Sequence, residues 1–368
     1  MPARVIIKLE NIKNNINKIK GVIKNKNSNA ELLVMVKADA YGAGAEKIAG
    51  YLEAIGVNHF GVAYLKEAKI LRNAGIKSDI IVFSGILPEE VEEAVKTDVS
   101  YAISNIDVAK KLSEYAVLNN KKVRVHIAID TGMTRLGLII HNQLTENINI
   151  LAKLKGLQIE GVFSHFSSAG EDEEYTRNQL QKFNKAIDII EKAGIELKYK
   201  HIFNSAAILK EDIIVGNIVR AGICAYGYYP FDNEENEIGL KGCFKLEAPI
   251  CDIRDIEENT YVSYSRTFKT KRKTKIATIQ IGYADGLSRC LSNEYRVNIN
   301  GAKCNIIGNI CMDMCMVDVT DAFDVKVGDY VNIFDYESDS LNKIAKKCNT
   351  INYEILTQIG KRVERKYE

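Results

Sequence analysis

The chain has 368 residues, enough for two domains or for one barrel with an addition. Hydrophobic residues make up 46% and charged residues 27%, the net charge is only +2, and acidic and basic residues are interspersed throughout. This balance argues against a nucleic-acid or anionic-membrane partner. No apolar run is long enough to span a bilayer and no signal-peptide core is present, so we expect a cytoplasmic protein.

The first part of the chain alternates apolar strands with amphipathic helical segments. After a short strand at 5–9 and a helix at 10–24, the pattern predicts eight strands separated by helical segments. These strands lie at 33–36, 59–63, 79–83, 99–103, 123–129, 159–163, 199–203 and 218–223. Eight such units in about 200 residues fit a (β/α)8 barrel. A doubly wound sheet is the alternative, but it does not need eight units.

The sequence pattern changes near residue 235, where glycines and short segments of alternating apolar and polar residues replace the alternation of strands and helices. Short strands are predicted at 274–281, 297–299, 304–307 and 330–334, and a helix at 341–359. We therefore predict an α/β protein with two domains. An N-terminal (β/α)8 TIM-type barrel spans 1–235, a mostly β domain spans 236–368, and the polar run 232–236 is a linker.

All eight cysteines follow residue 220, and in a cytoplasmic protein we expect them to be reduced thiols. Cys304, Cys311, Cys315 and Cys348 are possible zinc ligands. Their spacing matches the usual zinc motifs poorly, so we expect small buried hydrophobic residues and no metal.

One stretch stands out for its chemistry. Residues 32–36 are all apolar and lead directly into Lys37, which places this lysine at the carboxyl end of a buried strand. A desolvated lysine there can lose its proton and form a Schiff base with an aldehyde cofactor. Alone, it would more simply mark the exit of the strand into water. Tyr41, Gly42 and Gly44 add a hydroxyl and a tight turn suited to a phosphate.

The run VMVKADAYGAG at 34–44 resembles the cofactor-lysine motif of alanine racemases, the fold-type III enzymes that use pyridoxal 5′-phosphate (PLP). The family usually has a histidine between the two glycines, where this chain has Ala43. The resemblance implies that PLP binds as a Schiff base to Lys37, with Tyr41 near its phosphate.

Further motifs of this family follow in the barrel. The run DTGMTRLG at 130–137 resembles the segment whose arginine, here Arg135, binds the substrate carboxylate. Many members have a carbamylated lysine two residues before the aspartate, but this chain has Ala128, so another group must orient Arg135. The resemblance makes His165 a hydrogen-bond partner of the arginine beneath the cofactor, while Ser205 binds the phosphate.

The run VRAGICAYG at 219–227 resembles the segment in which an arginine, here Arg220, faces the pyridine nitrogen of PLP. A guanidinium only donates hydrogen bonds, so this nitrogen stays unprotonated and the ring is a weaker electron sink. Related decarboxylases place a carboxylate there instead. Gly222 and Ile223 are expected to offer backbone N–H groups to the phosphate.

The second half carries four more motifs. YVSYSRTF at 261–268 resembles the segment of the catalytic tyrosine, here Tyr264, with Ser265 where the family usually has glycine. IGYADG at 281–286 implies that Tyr283 lines the substrate entrance. CMDM at 311–314 implies that Met312 and Asp313 bind the substrate.

The fourth of these motifs, INYE at 351–354, implies that Tyr353 lies near the cofactor phosphate. The terminal run 362–365 has Glu364 where the family's Arg-Val-Pro-Arg has proline, and we interpret this departure as lying outside the chemistry. About nine motifs in the family's order make the resemblance specific.

The resemblance implies a PLP-dependent racemase that interconverts L- and D-alanine with two bases, Lys37 and Tyr264. Nearby Arg135 and the His165–Arg220 pair would favour the tyrosine's phenolate. The family supplies the tyrosine from the second subunit, which implies a homodimer with shared sites, and D-alanine serves peptidoglycan synthesis. Alternatives are a serine or broader-specificity racemase, a PLP decarboxylase and a non-enzymatic PLP-homeostasis protein. Arg220 argues against the decarboxylase. The second domain with Tyr264 argues against the PLP-homeostasis protein, which has no use for a second base.

Overall fold

Eight parallel strands, each hydrogen-bonded to the next in one sheet, form the N-terminal half of the protein. The structure is a computed structural model that describes residues 2–231 and 238–368. The strands are β1 (Arg4–Ile7), β2 (Glu31–Met35), β3 (His59–Val62), β4 (Asp79–Val82), β5 (Ser100–Ile103), β6 (Val123–Asp130), β7 (Leu138–Ile139), β8 (Leu157–Phe163), β9 (Tyr199–His201), β10 (Ile218–Ala221), β11 (Phe244–Ile256), β12 (Tyr261–Val262), β13 (Phe268–Lys269), β14 (Thr274–Ile279), β15 (Arg296–Ile299), β16 (Ala302–Asn305), β17 (Cys315–Asp318), β18 (Tyr330–Phe334) and β19 (Glu364–Tyr367).

The helices lie mainly between the barrel strands. They are α1 (Leu9–Lys26), α2 (Lys37–Tyr41), α3 (Ala45–Ala54), α4 (Leu65–Asn73), α5 (Val91–Lys96), α6 (Ile106–Leu118), α7 (Leu144–Ala152), α8 (Glu173–Lys192), α9 (Ser205–Lys210), α10 (Ser338–Lys347) and α11 (Asn352–Thr357).

The barrel strands are ordered β10-β2-β3-β4-β5-β6-β8-β9, and every pair in this order is parallel. The strands are apolar because both of their faces are covered, and β2 is buried from Leu32 to Met35. The predicted fold class, a parallel eight-stranded barrel followed by a mostly β domain, is confirmed. The order also places β10 beside β2, with Ala221 opposite Val34.

The sheet of the C-terminal half is ordered β16-β15-β18-β11-β1-β19, with β14 pairing with β11 and β17. Strand β1 lies antiparallel to β11 and parallel to β19. The apolar pattern of residues 5–9 predicts a strand but not its partners, so its place in this sheet is a finding of the structure.

The chain divides into two compact units. We call residues 16–40 and 44–225 the barrel unit, and the described residues of 1–15, 41–43 and 226–368 the C-terminal unit. The predicted boundary at 235/236 and the predicted linker at 232–236 lie outside the described ranges.

Two local predictions are wrong. The continuous helix expected at 341–359 is two helices, α10 and α11, because α10 ends at the cap Cys348 and Asn349 has a φ of 51°. Not all cysteines are free thiols, since Cys290 and Cys348 form a disulfide with Cα atoms 5.7 Å apart. The fold brings these two residues together across 58 positions, which the sequence spacing does not reveal.

Two further observations concern the described residues alone. None of their helices is long and apolar enough to cross a lipid bilayer. Nor do residues 2–231 and 238–368 contain a cluster of three or more His, Cys, Asp or Glu side chains able to hold a metal ion.

Close packing in the barrel interior depends on Gly161 of β8. A Cβ atom at this position would lie 2.5 Å from Nδ1 of the buried His126 and 2.8 Å from the carbonyl oxygen of Tyr199. Gly161 therefore leaves the space that the His126 ring occupies.

We predict that Gly161→Ala lowers the free energy of unfolding by about 1–3 kcal/mol, because the interior must shift to accept a methyl group. Gly21→Ala is the matched control. Gly21 lies inside α1 with no atom within 4 Å of the added Cβ, and alanine should stabilise that helix by about 0.5–1 kcal/mol. Urea unfolding followed by circular dichroism measures both, and equal effects of the two substitutions would contradict the packing argument.

Candidate active site

Lys37 follows β2 at the carboxyl end of the barrel, where barrel enzymes place their chemistry. Its side chain is partly buried, and burial together with the charge of Arg135 lowers its pKa; Glu67 opposes this shift and Arg220 adds to it. A larger fraction of this amine is therefore neutral at a given pH than of an ordinary lysine.

The backbone after Lys37 is left-handed. Ala38, Asp39, Ala40 and Tyr41 have φ values of 50–58°, although none of them is a glycine. Local hydrogen bonds hold this turn: the Ala45 N–H donates to Asp39 Oδ1 at 2.7 Å, and the Gly44 N–H donates to the Asp39 carbonyl at 2.9 Å. Such a conformation costs about 1–2 kcal/mol per residue, so the surrounding structure must hold it.

Arg220 is the centre of the polar network in the barrel, with only 4% of its surface exposed. Its two terminal nitrogens donate to three strand-end carbonyls and two imidazoles. The acceptors are the carbonyls of His201 (3.0 Å), Ser164 (2.7 Å) and Ile202 (3.2 Å), and the Nδ1 atoms of His201 (3.0 Å) and His165 (3.0 Å). Its Nε–H donates to none of the residues that the structure describes.

The chemistry of Arg220 fixes the tautomers of its neighbours. A guanidinium has no acceptor, so the Nδ1 atoms of His201 and His165 must accept, and their protons lie on Nε2. Nε2 of His201 then donates to Nδ1 of His126 at 2.9 Å. The chain Arg220–His201–His126 thus has a single direction of donation.

The histidines of this network stay neutral. Burial, followed by the charge of Arg220, lowers the pKa of His165 and of His201 well below the usual value. Burial, with repulsion from His59, lowers the pKa of His126 to about 3. Burial and Arg135 lower the pKa of Arg220 only to about 9, so the guanidinium carries the positive charge at neutral pH.

Ser205 and Gly222 form one local arrangement. The Gly222 N–H donates to Ser205 Oγ at 2.8 Å, and the Cys224 thiol lies 3.2 Å from the same oxygen. Gly222 therefore fixes the Ser205 hydroxyl rather than leaving its own N–H free. Ser205 accepts from both neighbours and keeps its hydroxyl hydrogen for another acceptor, and Ile223 begins the 3-10 turn that follows.

Arg135 projects from a loop that is itself well held. Asp130 Oδ1 accepts from the backbone N–H groups of Gly132 (2.8 Å) and Thr134 (3.1 Å), and the Tyr175 hydroxyl donates to the Gly132 carbonyl (2.8 Å). The guanidinium is exposed and forms no hydrogen bond or ion pair with any described residue. Arg135 is thus a cation available to an anionic group.

Ala128 explains why no side chain of β6 orients Arg135. It is 1% exposed and packs with Ala102, Phe163 and Phe83 in an apolar cluster. Alanine carries no amine that could form a carbamate, and the residues it packs against are apolar.

In the C-terminal unit Tyr264 is 71% exposed and lies between residues with unusual backbone geometry. Ser263 has φ 65° and ψ −175°, a region used almost only by glycine, and Ser265 has φ 60°. Asn309 holds the segment: its Nδ2 donates to the Tyr264 carbonyl at 2.8 Å, and its carbonyl accepts from Ser263 Oγ at 2.6 Å. Tyr264 therefore projects from a strained but anchored turn.

Two loops of the same unit are joined by Arg362. The backbone N–H groups of Tyr283 and Ala284 donate to the carbonyls of Cys311 (3.0 Å) and Met312 (3.1 Å). The Arg362 Nε donates to Asp285 at 2.5 Å, and its Nη2 donates to Asp313 at 2.6 Å. Arg362, in the terminal run, thus contacts both the loop that follows Tyr283 and the predicted substrate residue Asp313.

Tyr41 and Tyr353 also lie near each other, with ring centroids 6.1 Å apart. The C-terminal strand β19 holds the segment after Tyr41. Arg365 Nε donates to the Gly42 carbonyl at 3.2 Å, and the Tyr367 hydroxyl donates to the Ala43 carbonyl at 2.9 Å.

The structure thus brings Lys37, Arg135, His165 and Arg220 into electrostatic range of one another in the barrel unit, and places Tyr264, Tyr283, Met312 and Asp313 on linked loops of the C-terminal unit. Sequence reasoning missed five polar residues of these networks: Glu67, His126, His201, Asn309 and Arg362. His201 falls inside the predicted strand 199–203 and not at its end, and all five residues act through contacts that no spacing indicates.

The fold and these polar strand ends define an enzyme of the parallel-barrel class with a second, mostly β domain. Comparison with known families agrees. The family model for the alanine racemase N-terminal domain matches residues 7–230, and that for the C-terminal domain matches residues 243–367.

Individual relatives agree over their full length. The chain is 40% identical to alanine racemase of Clostridium perfringens and 38% identical to alanine racemase 1 of Caldanaerobacter subterraneus, covering 100% of this chain and 95% of each relative. The solved alanine racemase of Clostridium difficile 630 superposes with a TM-score of 0.95 at 36% identity, covering 100% of this chain and 96% of that one. The chain belongs to the alanine racemase family, whose members are isomerases, and the family predicted from the motifs is confirmed.

We predict that Ser265→Gly raises the free energy of unfolding by about 1 kcal/mol, because glycine adopts a φ of 60° without a Cβ penalty. Thr267→Gly is the control, since Thr267 has a φ of −74° and gains nothing from glycine. Chemical denaturation measures both. Destabilisation by Ser265→Gly as large as that by Thr267→Gly would show that Ser265 is not strained.

Proposed function

We propose that the protein is a PLP-dependent racemase that interconverts L- and D-alanine, with Lys37 and Tyr264 as its two bases. The observation that carries the proposal is the pairing of β2 with β10, which sets the amine-bearing end of one strand beside the strand of a buried arginine donor. Family membership adds the reaction class.

The donors present in the barrel unit fit PLP. Lys37 offers an amine with a lowered pKa for covalent attachment, and Arg220 offers an Nε–H that no described residue uses. Ser205 has a hydroxyl hydrogen left for a phosphate oxygen, with Gly222 and Ile223 beside it. On the strength of the family motifs we also assign Tyr41 and Tyr353 to the phosphate. PLP, when bound, supplies the electron sink that stabilises a carbanion at Cα.

Lys37 is the proposed base on one face of the substrate. A neutral Nζ accepts the Cα proton of one alanine enantiomer and, once protonated, returns a proton to that face in the reverse direction. Burial and the neighbouring guanidinium groups favour the neutral amine, the form that can accept a proton from Cα. The neutral His165 and His201 keep the Arg220 guanidinium fixed without competing as acids.

Tyr264 is the proposed base on the opposite face, contributed by the second subunit of a homodimer. The side chains of Tyr264, Tyr283 and Met312 are 71%, 45% and 53% exposed, so they are accessible in the single chain. A second copy of the chain would cover this surface. In this arrangement the proposed domain of residues 236–368 gives its base to the other subunit.

The proposed substrate contacts follow from charge and size. Arg135, with no acidic partner among the described residues, binds the carboxylate, together with the Met312–Asp313 segment. Tyr283 and Tyr353 restrict the side chain to a small group, which favours alanine. Serine adds one hydroxyl, and an apolar pocket rejects such a group by only about 100-fold. We assign the enzyme to D-alanine supply for peptidoglycan, a cytoplasmic task.

The test is chiral analysis after incubating the purified protein and PLP separately with L-alanine, L-serine and L-lysine. We expect D-alanine to form fastest, without release of CO2. A dominant D-serine or D-lysine product would keep the reaction class and overturn the substrate. If no D-isomer forms while PLP is bound, the assignment of the two bases fails.

Shared sites predict complementation between inactive subunits. Lys37→Ala and Tyr264→Phe proteins should each be inactive, and mixed dimers should carry one intact site and regain up to about half of the activity per mixed dimer. Activity is measured after subunit exchange, which is verified by mass spectrometry of differently labelled chains. Verified exchange without recovered activity would contradict the shared site.

Arg362→Ala should raise the KM for alanine roughly 10-fold and change kcat less, because the loops that bear Tyr283 and Asp313 lose their common anchor. Arg272→Ala is the matched control, since Arg272 pairs with Asp321 on the exposed surface of the same unit. Steady-state kinetics separate the two constants. Similar KM values for both variants would contradict the anchoring role.

A further inference from the structure

The position of Lys37 depends on a backbone that L-residues rarely adopt. The turn that follows it is left-handed from Ala38 onward, and Ala38 itself has φ 50° and ψ 50°. Because Ala38 is the next residue, any movement of its peptide group moves the Cα of Lys37. The group that holds the Ala38 peptide therefore determines where the lysine chain starts.

That group is the carboxylate of Glu67. Oε1 accepts the Ala38 N–H at 2.6 Å, and Oε2 accepts the N–H groups of Ala63 at 2.7 Å and Tyr64 at 3.0 Å. Glu67 lies in the first turn of α4, and two of its three donors belong to the loop that leads into this helix. The carboxylate is thus fixed to α4 and reaches across to the turn after β2.

Glu67 is also the negative charge that faces Lys37. Among residues 2–231 and 238–368, the other groups with an electrostatic effect on the lysine are Arg135 of the loop after β6 and Arg220 of β10, both cationic, and the neutral His165 after β8. Among these groups only Glu67 opposes the lowering of the Lys37 pKa. One carboxylate therefore bonds to the residue after the lysine and acts against the effect of the two guanidinium charges on it.

We propose that Glu67 is a positioning residue for Lys37, holding the lysine in place through the Ala38 N–H and setting a negative charge opposite Arg135 and Arg220. The inference rests on the proposed role of Lys37 as the amine that binds PLP and as a base. Glu67 touches neither substrate nor cofactor in this proposal and acts only through the lysine.

The chain offers a matched control in Glu53 of α3. Its carboxylate also accepts three hydrogen bonds, from the Lys77 N–H (2.8 Å), the Ser78 N–H (2.6 Å) and the Ser78 hydroxyl (2.7 Å), and it is not among the groups that act on Lys37. Glu53→Gln therefore removes a similar carboxylate anchor from the same unit without changing the charge near the lysine.

The experiment compares Glu67→Gln with Glu53→Gln in the full chain. The first readout uses protein freed of PLP with hydroxylamine. Competitive acetylation by acetic anhydride across pH 6–11, followed by peptide mass spectrometry, gives the titration midpoint of Lys37. Loss of the facing negative charge should move this midpoint about 0.5–1 pH unit lower in Glu67→Gln, and Glu53→Gln should leave it unchanged.

The second readout is steady-state racemisation with saturating PLP. The amide that Glu67→Gln introduces cannot accept from all three N–H groups, so the lysine is less well placed, and kcat should fall at least about 10-fold relative to Glu53→Gln. Glu67→Asp keeps the charge but shortens the reach. It should retain the wild-type midpoint and still lose kcat, and it serves as the test if Glu67→Gln does not fold.

A Lys37 midpoint and a kcat in Glu67→Gln equal to those of Glu53→Gln would overturn the inference, as would full kcat in Glu67→Asp. A different result would show that the proposed function itself, and not the role of Glu67, is wrong. Lys37→Ala with undiminished racemase activity would refute the role of the lysine itself, whereas the acetylation midpoint is measured without turnover and reports on Glu67 alone.

Discussion

A buried positive charge that can only donate hydrogen bonds organises the barrel interior. Arg220 lies in β10 with almost no exposed surface, and burying such a charge is costly unless its donors are satisfied. Carbonyls at the carboxyl ends of β8 and β9 and two imidazoles accept four of its five N–H groups. The remaining Nε–H, which donates to no described residue, is the one we propose for the cofactor.

The need to satisfy the donors of Arg220 also determines the state of the residues around it. His201 and His165 must be neutral acceptors, the orientation of His201 fixes His126, and the His126 ring needs the space that Gly161 leaves. In the proposed function, this donor would keep the pyridine nitrogen of PLP unprotonated, which would favour return of the proton to Cα. The network thus links the packing of the barrel to the outcome of the proposed reaction.

The two proposed bases share a second feature, because both lie next to backbone in sparsely populated conformations. Ala38 follows Lys37 in a left-handed turn, and Ser263 and Ser265 flank Tyr264 with positive φ. Each segment is held by a residue outside it, Glu67 in one case and Asn309 in the other. Natural proteins often keep unfavourable backbone conformations at functional sites, where contacts from other residues compensate for the cost.

The fold followed from the sequence because buried parallel strands are apolar on both faces, so the eight barrel strands were visible as short apolar runs. Lys37 was visible for the same reason, as a charge directly after such a run. The left-handed turn was not, since Ala38 and Asp39 carry no glycine signal. The roles of His126 and Arg362 depend on contacts between distant parts of the chain, and so do the pairing of β1 and the bond between Cys290 and Cys348.

The central claim, that two bases act on opposite faces of Cα, is tested most directly by the origin of the new Cα hydrogen. L-alanine with protium at Cα is incubated with the protein and PLP in D2O, and the first D-alanine formed is analysed by mass spectrometry. Two bases predict deuterium at Cα in nearly all of this product, because the proton taken by one base is not the one delivered by the other. Extensive retention of protium would show that a single base carries the hydrogen between faces and would contradict the account.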